Sequence, residues 1–259
     1  MLTRQRDGAV LRLVMDMPER LNALSDAMLA ELAGALDDLH DDSETRVVVL
    51  SGTGRAFCAG HDLKEMQAHR GDPDKGAAAW LDLFTRCGGI MQEIARVPQP
   101  VIAQVHGVAA AAGCQLVASC DMAIAAEGTR FGVNGVNIGL FCSTPMVALT
   151  RVMPRKAVFE MLTTGRLIEA DEARGLGLVN RVVPADALAE ETMALARTVA
   201  AKLGSAVRVG KRAFYEQAEM DLSRAYDHTG QVMVRNMLDA DTDEGIAAFL
   251  DKRPPDWAQ

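Results

Sequence analysis

Apolar and polar positions change their period along the chain, and these changes mark out its elements. Residues Ala9–Asp16 (AVLRLVMD) alternate, as a strand does. Ser25 then precedes Leu29, Leu32, Ala33, Leu36 and Leu39, an apolar set at helical spacing behind a capping residue. Val47–Leu50 (VVVL) is wholly apolar, which predicts a strand covered on both faces. Gly76–Arg96 reads as a helix stopped by Pro98 and Pro100, Val101–Val105 as a strand, Ala109–Ser119 as one helix and Asp121–Ala126 as a strand. Arg130–Ser143 is glycine-rich and reads as loop or short strand. Helices are predicted over Thr144–Met153, Lys156–Thr164 and Ala170–Gly175, with a strand at Val179–Val183. Beyond Pro184 only helical patterns remain: Asp186–Leu203, Val207–Met220, Leu222–Leu238 and Asp243–Lys252. Strand and helix alternate up to Pro184, so the fold class is α/β with a helical C-terminal module.

Composition narrows the function. The chain has 259 residues, half of them apolar (49%) and a quarter charged (24%), enough to bury a large core. A net charge of −8 and isolated Trp80 and Trp257 argue against a nucleic-acid or anionic-membrane binder. The most apolar stretch, Val101–Ser119, is broken by Gln104, His106, Gly107, Gly113 and Gln115 and does not read as a membrane span. The first residues, MLTRQRDGAV, lack the apolar run of a secretory signal. Five cysteines with no CxxC pair and no histidine at metal spacing suggest neither a disulfide framework nor a metal site, so a reducing cytoplasm is expected. Gly52–Thr53–Gly54 begins like a dinucleotide loop, but Phe57 stands where the third glycine belongs. A nicotinamide oxidoreductase therefore lacks its fingerprint.

Three glycine-rich turns are left to carry chemistry. In Ala56–Met66 (AFCAGHDLKEM) a tight turn opens a helix. Asp62 and Glu65 have capping-box spacing, so Asp62 reads as a cap, while the turn at Gly60–His61 would leave N–H groups free to hold a developing oxyanion. In Gly107–Gln115 (GVAAAAGCQ) small side chains either allow tight helix packing or let a ligand reach the backbone. Phe131–Thr144 (FGVNGVNIGLFCST) is either a turn-rich connection or a wall of a site.

These segments, in this order, resemble the crotonase (enoyl-CoA hydratase/isomerase) superfamily. AFCAGHDLKEM is similar to its first oxyanion-hole segment, PVIAQVHGVAAAAGCQLVASCDMAIAAEGTRFG to its central signature, and LTTGRLIEADEARGLGLVNRVVP to its downstream block. GHDLKE, AAGCQLVASCD, GLFCSTP and AFLDKR carry a narrower likeness within it. The resemblance implies a spiral of ββα units over residues 1–195 and a C-terminal helical trimerisation region over 196–259, assembled as a homotrimer or dimer of trimers. It implies no cofactor beyond the coenzyme A of an acyl-CoA substrate. By motif, the thioester oxygen falls to the N–H groups of His61 and Ala112, the latter where the family usually has glycine. The acyl-CoA site would include Arg20, Leu21, Ala23, Ala59, Gly60, His61, Asp62, Leu63, Lys64, Ala111, Ala112 and Gly113, with Arg20 and Lys64 either phosphate donors or solvated cations.

The chain departs from the family's hydratases at both catalytic glutamates. Gln115 occupies the first position and Gly135 the second. Hydration needs one group to take a proton and another to give one; a carboxamide cannot accept the proton and glycine has no side chain. Three side chains could stand in. His61 either works through its imidazole or faces solvent as a turn residue. Cys142 lies where the resembling 1,4-dihydroxy-2-naphthoyl-CoA synthases carry aspartate, or simply packs. His106 ends a strand and reads as a satisfied turn residue. The expectations are an enzyme that relies on its oxyanion hole for isomerisation, hydrolysis, decarboxylation or carbon–carbon chemistry, or a non-catalytic acyl-CoA binder or regulatory trimer.

Overall fold

The computed structural model describes residues 1–257. Among the described residues, nine strands form two sheets. The larger has the order β1 (Leu2–Asp7), β2 (Val10–Met15), β3 (Val47–Gly52), β4 (Val101–Val105), β6 (Met122–Ala126) and β9 (Arg181–Val183), antiparallel only between β1 and β2. The smaller holds β5 (Val108–Ala110), β7 (Arg130–Gly132) and β8 (Leu167–Glu169). The chain steps from the large sheet to the small one and then into a helix: β4, β5 and α4 (Ala112–Ser119), then β6, β7 and a 3-10 turn at Asn134–Ile138. This is the expected spiral of ββα units.

The apolar run of β3 is covered on both faces, as its composition predicts. Val48 and Leu50 face the main core with Leu13 and Val101. Val47 and Val49 face the other way with Val10 and Ile102, under Met193 and Ala196 of α8 (Leu188–Ala200). Successive strand residues point to opposite faces, so an all-apolar strand needs a cover on each. Helix α8 runs through residue 195, where the expected core ends, and residues 258 and 259 of the expected tail lie outside the described residues.

Helices α1 (Asp26–Asp37) and α3 (Ala77–Arg96) bury residues in the main core, while α2 (Leu63–Ala68) reaches it only through half-buried Met66; Ser25 caps α1 through the Met28 N–H (3.2 Å). α5 (Pro145–Val152), α6 (Arg155–Thr164) and α7 (Ala170–Gly175) follow the small sheet, and α9 (Gly204–Ala218), α10 (Leu222–Met237) and α11 (Ala240–Leu250) form the tail. α9 is tied to the body by a buried cluster that the sequence pattern did not flag. Lys211 Nζ donates to the Ile94 and Gln99 carbonyls (2.7 and 2.9 Å) and pairs with Asp121 (2.7 Å), which also accepts from the Tyr215 hydroxyl (2.8 Å). Burial pushes the Lys211 ammonium below its ordinary pKa and Asp121 opposes that shift, so the pair depends on its partners.

The structure redraws some predicted elements. Ala109–Ser119 is not one helix: its start belongs to β5, and α4 begins only at Ala112. Backbone pairing with Cys58 (Cys58 N–H to Val108 O, 3.2 Å; Ala110 N–H to Cys58 O, 3.0 Å) overrides the helical preference of alanine. β1 was not predicted; it is a charged, exposed edge strand that needs β2 to exist. α9 and α11 each begin three residues earlier than the apolar pattern suggests.

Candidate functional site

The first turn is built on Asn22. It is fully buried, accepts from the Met17 N–H and donates to the Thr53 and Ala56 carbonyls, all at 2.9 Å. Leu21 and Asn22 take left-handed backbone angles (φ 53° and 52°). The segment then runs beside the turn: Ala59 N–H donates to Leu21 O (3.0 Å) and Leu24 N–H to Gly60 O (2.8 Å). Leu21, Ala23, Ala59 and Gly60 are thus neighbours, with Cys58 bridging to β5 on the far side.

The second turn meets the first at Gly60. A Cβ there would lie 3.0 Å from both Ala110 O and Ala111 Cβ, and 3.4 Å from Ala112 N. One residue into α4, a Cβ on Gly113 would lie 2.2 Å from Cys58 O. The approach therefore demands glycine on each segment. Ala111 turns the chain between β5 and α4 at φ 49°, ψ −118°, and its N–H donates to Gly132 O (2.8 Å), drawing in the third segment. His61 and Ala112 stand at or next to helix starts, and the N–H of neither has an acceptor among the described residues. The predicted donor pair is therefore free and on segments in contact.

His61 does not face solvent as a turn residue. Its ring packs edge-on against Phe84 (5.8 Å), Nδ1 lies 3.4 Å from Leu24 O, and Nε2 is buried without a partner. Burial pushes its pKa below the ordinary histidine value, so the ring is neutral near pH 7. Asp62 caps α2, accepting from the Lys64 and Glu65 N–H groups (2.9 and 3.4 Å). The capping box does not close, because Glu65 reaches across to the Asp26 N–H instead (2.9 Å). Arg20 is shared between Asp62 (3.3 Å) and Glu65 (3.7 Å), Leu63 is exposed, and the Lys64 ammonium has no partner among the described residues. A cavity of about 130 Å³ lies between α1, α2 and α3, lined by Leu24, Glu65, Met66, Trp80, Leu83 and Arg86 among others.

The acid–base side is different. Gln115, 3% exposed, sits one turn into α4, and its Oε1 has no partner. Gly135 lies in the 3-10 turn, and a Cβ there would be 2.3 Å from Leu140 O and 2.8 Å from Cys142 Sγ. The space beside Gly135 is filled by the chain itself. Cys142 is buried and its thiol is pushed above its ordinary pKa by burial, as for a packing residue. His106 is satisfied by Gly54 O (2.9 Å). Among the described residues no cluster of His, Cys, Asp or Glu is placed to hold a metal, and no helix is long and apolar enough to cross a membrane. Asn22 and the strained angles of Ala111 escaped the sequence reading, because both matter only through backbone partners distant in the chain.

A family model described as enoyl-CoA hydratase/isomerase matches residues 5–259, so the chain belongs to the enoyl-CoA hydratase/isomerase (crotonase) family. Among curated relatives, the human mitochondrial enoyl-CoA hydratase domain-containing protein 3 is 47% identical over 257 residues, covering 98% of this chain and 82% of the relative. The crystal structure of that human protein superposes with a TM-score of 0.94 at 44% identity, covering 99% of each chain. A crystal structure of an enoyl-CoA hydratase from Mycobacterium smegmatis superposes with a TM-score of 0.95 at 51% identity, covering 100% of this chain and 99% of the other.

Proposed function

We propose that the chain binds an acyl-CoA thioester across the junction of the two turns, with the thioester oxygen accepting from the His61 and Ala112 N–H groups. The observation that carries this reading is that pair of N–H groups without acceptors, on segments in contact at Gly60. Donors fixed where charge develops stabilise an enolate or a tetrahedral intermediate without reorganising, and their removal typically costs ~10²–10³ in rate. The free Lys64 ammonium is the proposed phosphate contact, with Arg20 secondary because Asp62 and Glu65 already share it. Self-association as a trimer or dimer of trimers through the tail is part of the reading. Leu222, Tyr226, Leu238 and Phe249 are each more than 70% exposed there, an apolar area that a lone chain would leave in water. The five unpaired, buried cysteines support a reducing, cytoplasmic setting.

Classical hydration is proposed to be weak or absent. Each missing acid–base partner typically costs ~10²–10⁴ in rate, and both positions are affected. The test is hydration of crotonyl-CoA at high protein concentration, with Gln115→Glu beside the native chain and Ala112→Pro as the control that removes one donor. The expected result is a native rate far below ~10 s⁻¹, a gain of about 10² in the Gln115→Glu variant, and weaker binding of butyryl-CoA, but not of free CoA, in Ala112→Pro. Native hydration at an ordinary enzymatic rate would overturn the reading of the missing glutamates.

A further inference from the structure

The His61 donor adjoins a helix that the core scarcely holds. None of the six residues of α2 is buried, and only half-buried Met66 packs against the main core. The cavity of about 130 Å³ lies between α2 and its neighbours, so apolar packing does not fix the helix on that side. Polar ties do so instead. At the turn, the Leu24 N–H donates to Gly60 O (2.8 Å). Further along, Trp80 Nε1 donates to Met66 O (3.0 Å). Between these two, Glu65 reaches out of the helix. Its Oε2 accepts from the Asp26 N–H (2.9 Å), and its Oε1 lies 3.7 Å from Arg20. Asp26 opens α1, whose first N–H groups have no partner within their own helix and welcome a negative charge. In a closed capping box the Glu65 carboxylate would return to the start of α2 itself. Here it ties α2 to α1.

We infer that Glu65 is a positioning residue for the oxyanion hole: by tying α2 to the start of α1, it sets the direction of the His61 N–H. This rests on the acyl-CoA reading above. A hydrogen bond weakens steeply as its angle closes, so a small swing of α2 costs the bond from His61. The Ala112 donor needs no such tie, because residues 112–118 of α4 are all buried. Glu65 acts through the backbone of its own helix and does not touch the thioester.

The experiment is calorimetric titration of the full-length native chain, Glu65→Gln and Glu65→Ala with butyryl-CoA and with free CoA, read as the ratio of the two affinities. The ratio cancels whatever a freed Arg20 does at the phosphates that both ligands carry. In Glu65→Ala the ratio is expected to fall about five- to ten-fold, which is what one lost hydrogen bond contributes. Binding of free CoA, which a general loosening of the fold would also weaken, is expected to persist. Glu65→Gln keeps an oxygen for the Asp26 N–H while giving up the charge beside Arg20, and should hold the native ratio within about two-fold. An unchanged ratio in Glu65→Ala would overturn the inference. So would an equal loss in Glu65→Gln, which would assign the effect to the charge and not to the tie. If butyryl-CoA binds the native chain no better than free CoA, the acyl-CoA reading fails first and the inference with it. Glu65 is half-exposed on a helix that buries nothing, so both variants are expected to fold.

Discussion

The two sides of the site are built from the same material, backbone packed on backbone around a glycine, yet they end in opposite chemistry. On the oxyanion side, Gly60 and Gly113 let two turns close until the Gly113 Cα sits against Cys58 O, and the closure leaves the His61 and Ala112 N–H groups free. On the acid–base side, Gly135 lets the Leu140 carbonyl close in, and the closure removes the room a side chain would need. In the proposed reading, the first approach makes a site by exposing donors, and the second fills the place that a carboxylate would need. The family's reaction type therefore cannot be read from fold alone; it depends on which of these closures a chain has kept.

The comparison breaks most sharply at Gly113. A methyl group there meets Cys58 O at 2.2 Å, and both segments are buried. Neither can yield, so Gly113→Ala should cost roughly 3 kcal/mol in a denaturant titration and abolish preferential binding of butyryl-CoA over CoA. Gly135→Ala meets an equally short contact, 2.3 Å from Leu140 O, but on a loop whose Leu140 and Phe141 are exposed. The loop can shift, so about 1–2 kcal/mol is expected, with butyryl-CoA binding retained. Equal losses in the two variants would mean that the two closures are equally rigid, and the contrast drawn above would not hold. For the same reason Gly135→Glu should not simply restore a hydratase, since the carboxylate would first have to displace the Leu140 carbonyl.

Much of this was legible in the sequence, for a definite reason. The strand pattern of β2, the all-apolar β3 and the capping of α1 by Ser25 are local signals, and the structure forms each of them, although β2 is covered on both faces rather than alternating between buried and exposed. The three glycine turns carried the resemblance, so His61, Ala112, Gln115 and Gly135 could be named in advance. Properties that depend on distant partners were not legible. Nothing around His61 in the chain says that Phe84 covers its ring, nothing around Gly135 says that Leu140 has folded back onto it, and Lys211 looks like any surface lysine until Asp121 and the Gln99 carbonyl are found beside it.

Ala111 sharpens the oxyanion side by a smaller step. Its φ of 49° with ψ of −118° is a conformation L residues avoid, at a cost of order 1–3 kcal/mol, and glycine accepts it freely. Part of the relief is returned as unfolded-chain entropy. Ala111→Gly should therefore be stabilised by about 1 kcal/mol in thermal or denaturant melts while the hole donors stay in place. A destabilised variant would show that the methyl contributes more through its contact beside Gly60 than its strain costs.

The finest test is a pH dependence. Burial holds the His61 ring below its ordinary pKa of 6.5. Between the folded and unfolded pKa values the unfolded chain binds the proton and the native chain does not, so stability rises with pH there. His61's share is complete above 6.5 and is lost as pH falls below that value. Acid-side carboxylates add their own slope, so the informative quantity is the difference between the native chain and His61→Leu, which keeps the backbone N–H. Unfolding free energies compared at about pH 7.5 and about pH 5.5 should show a steeper loss for the native chain. Parallel losses would mean that the ring is hydrated and free to take its proton in the folded state. The surroundings of the His61 N–H would then be wet, and the proposed oxyanion donors would act in water rather than in a dry site, where such donors are most effective.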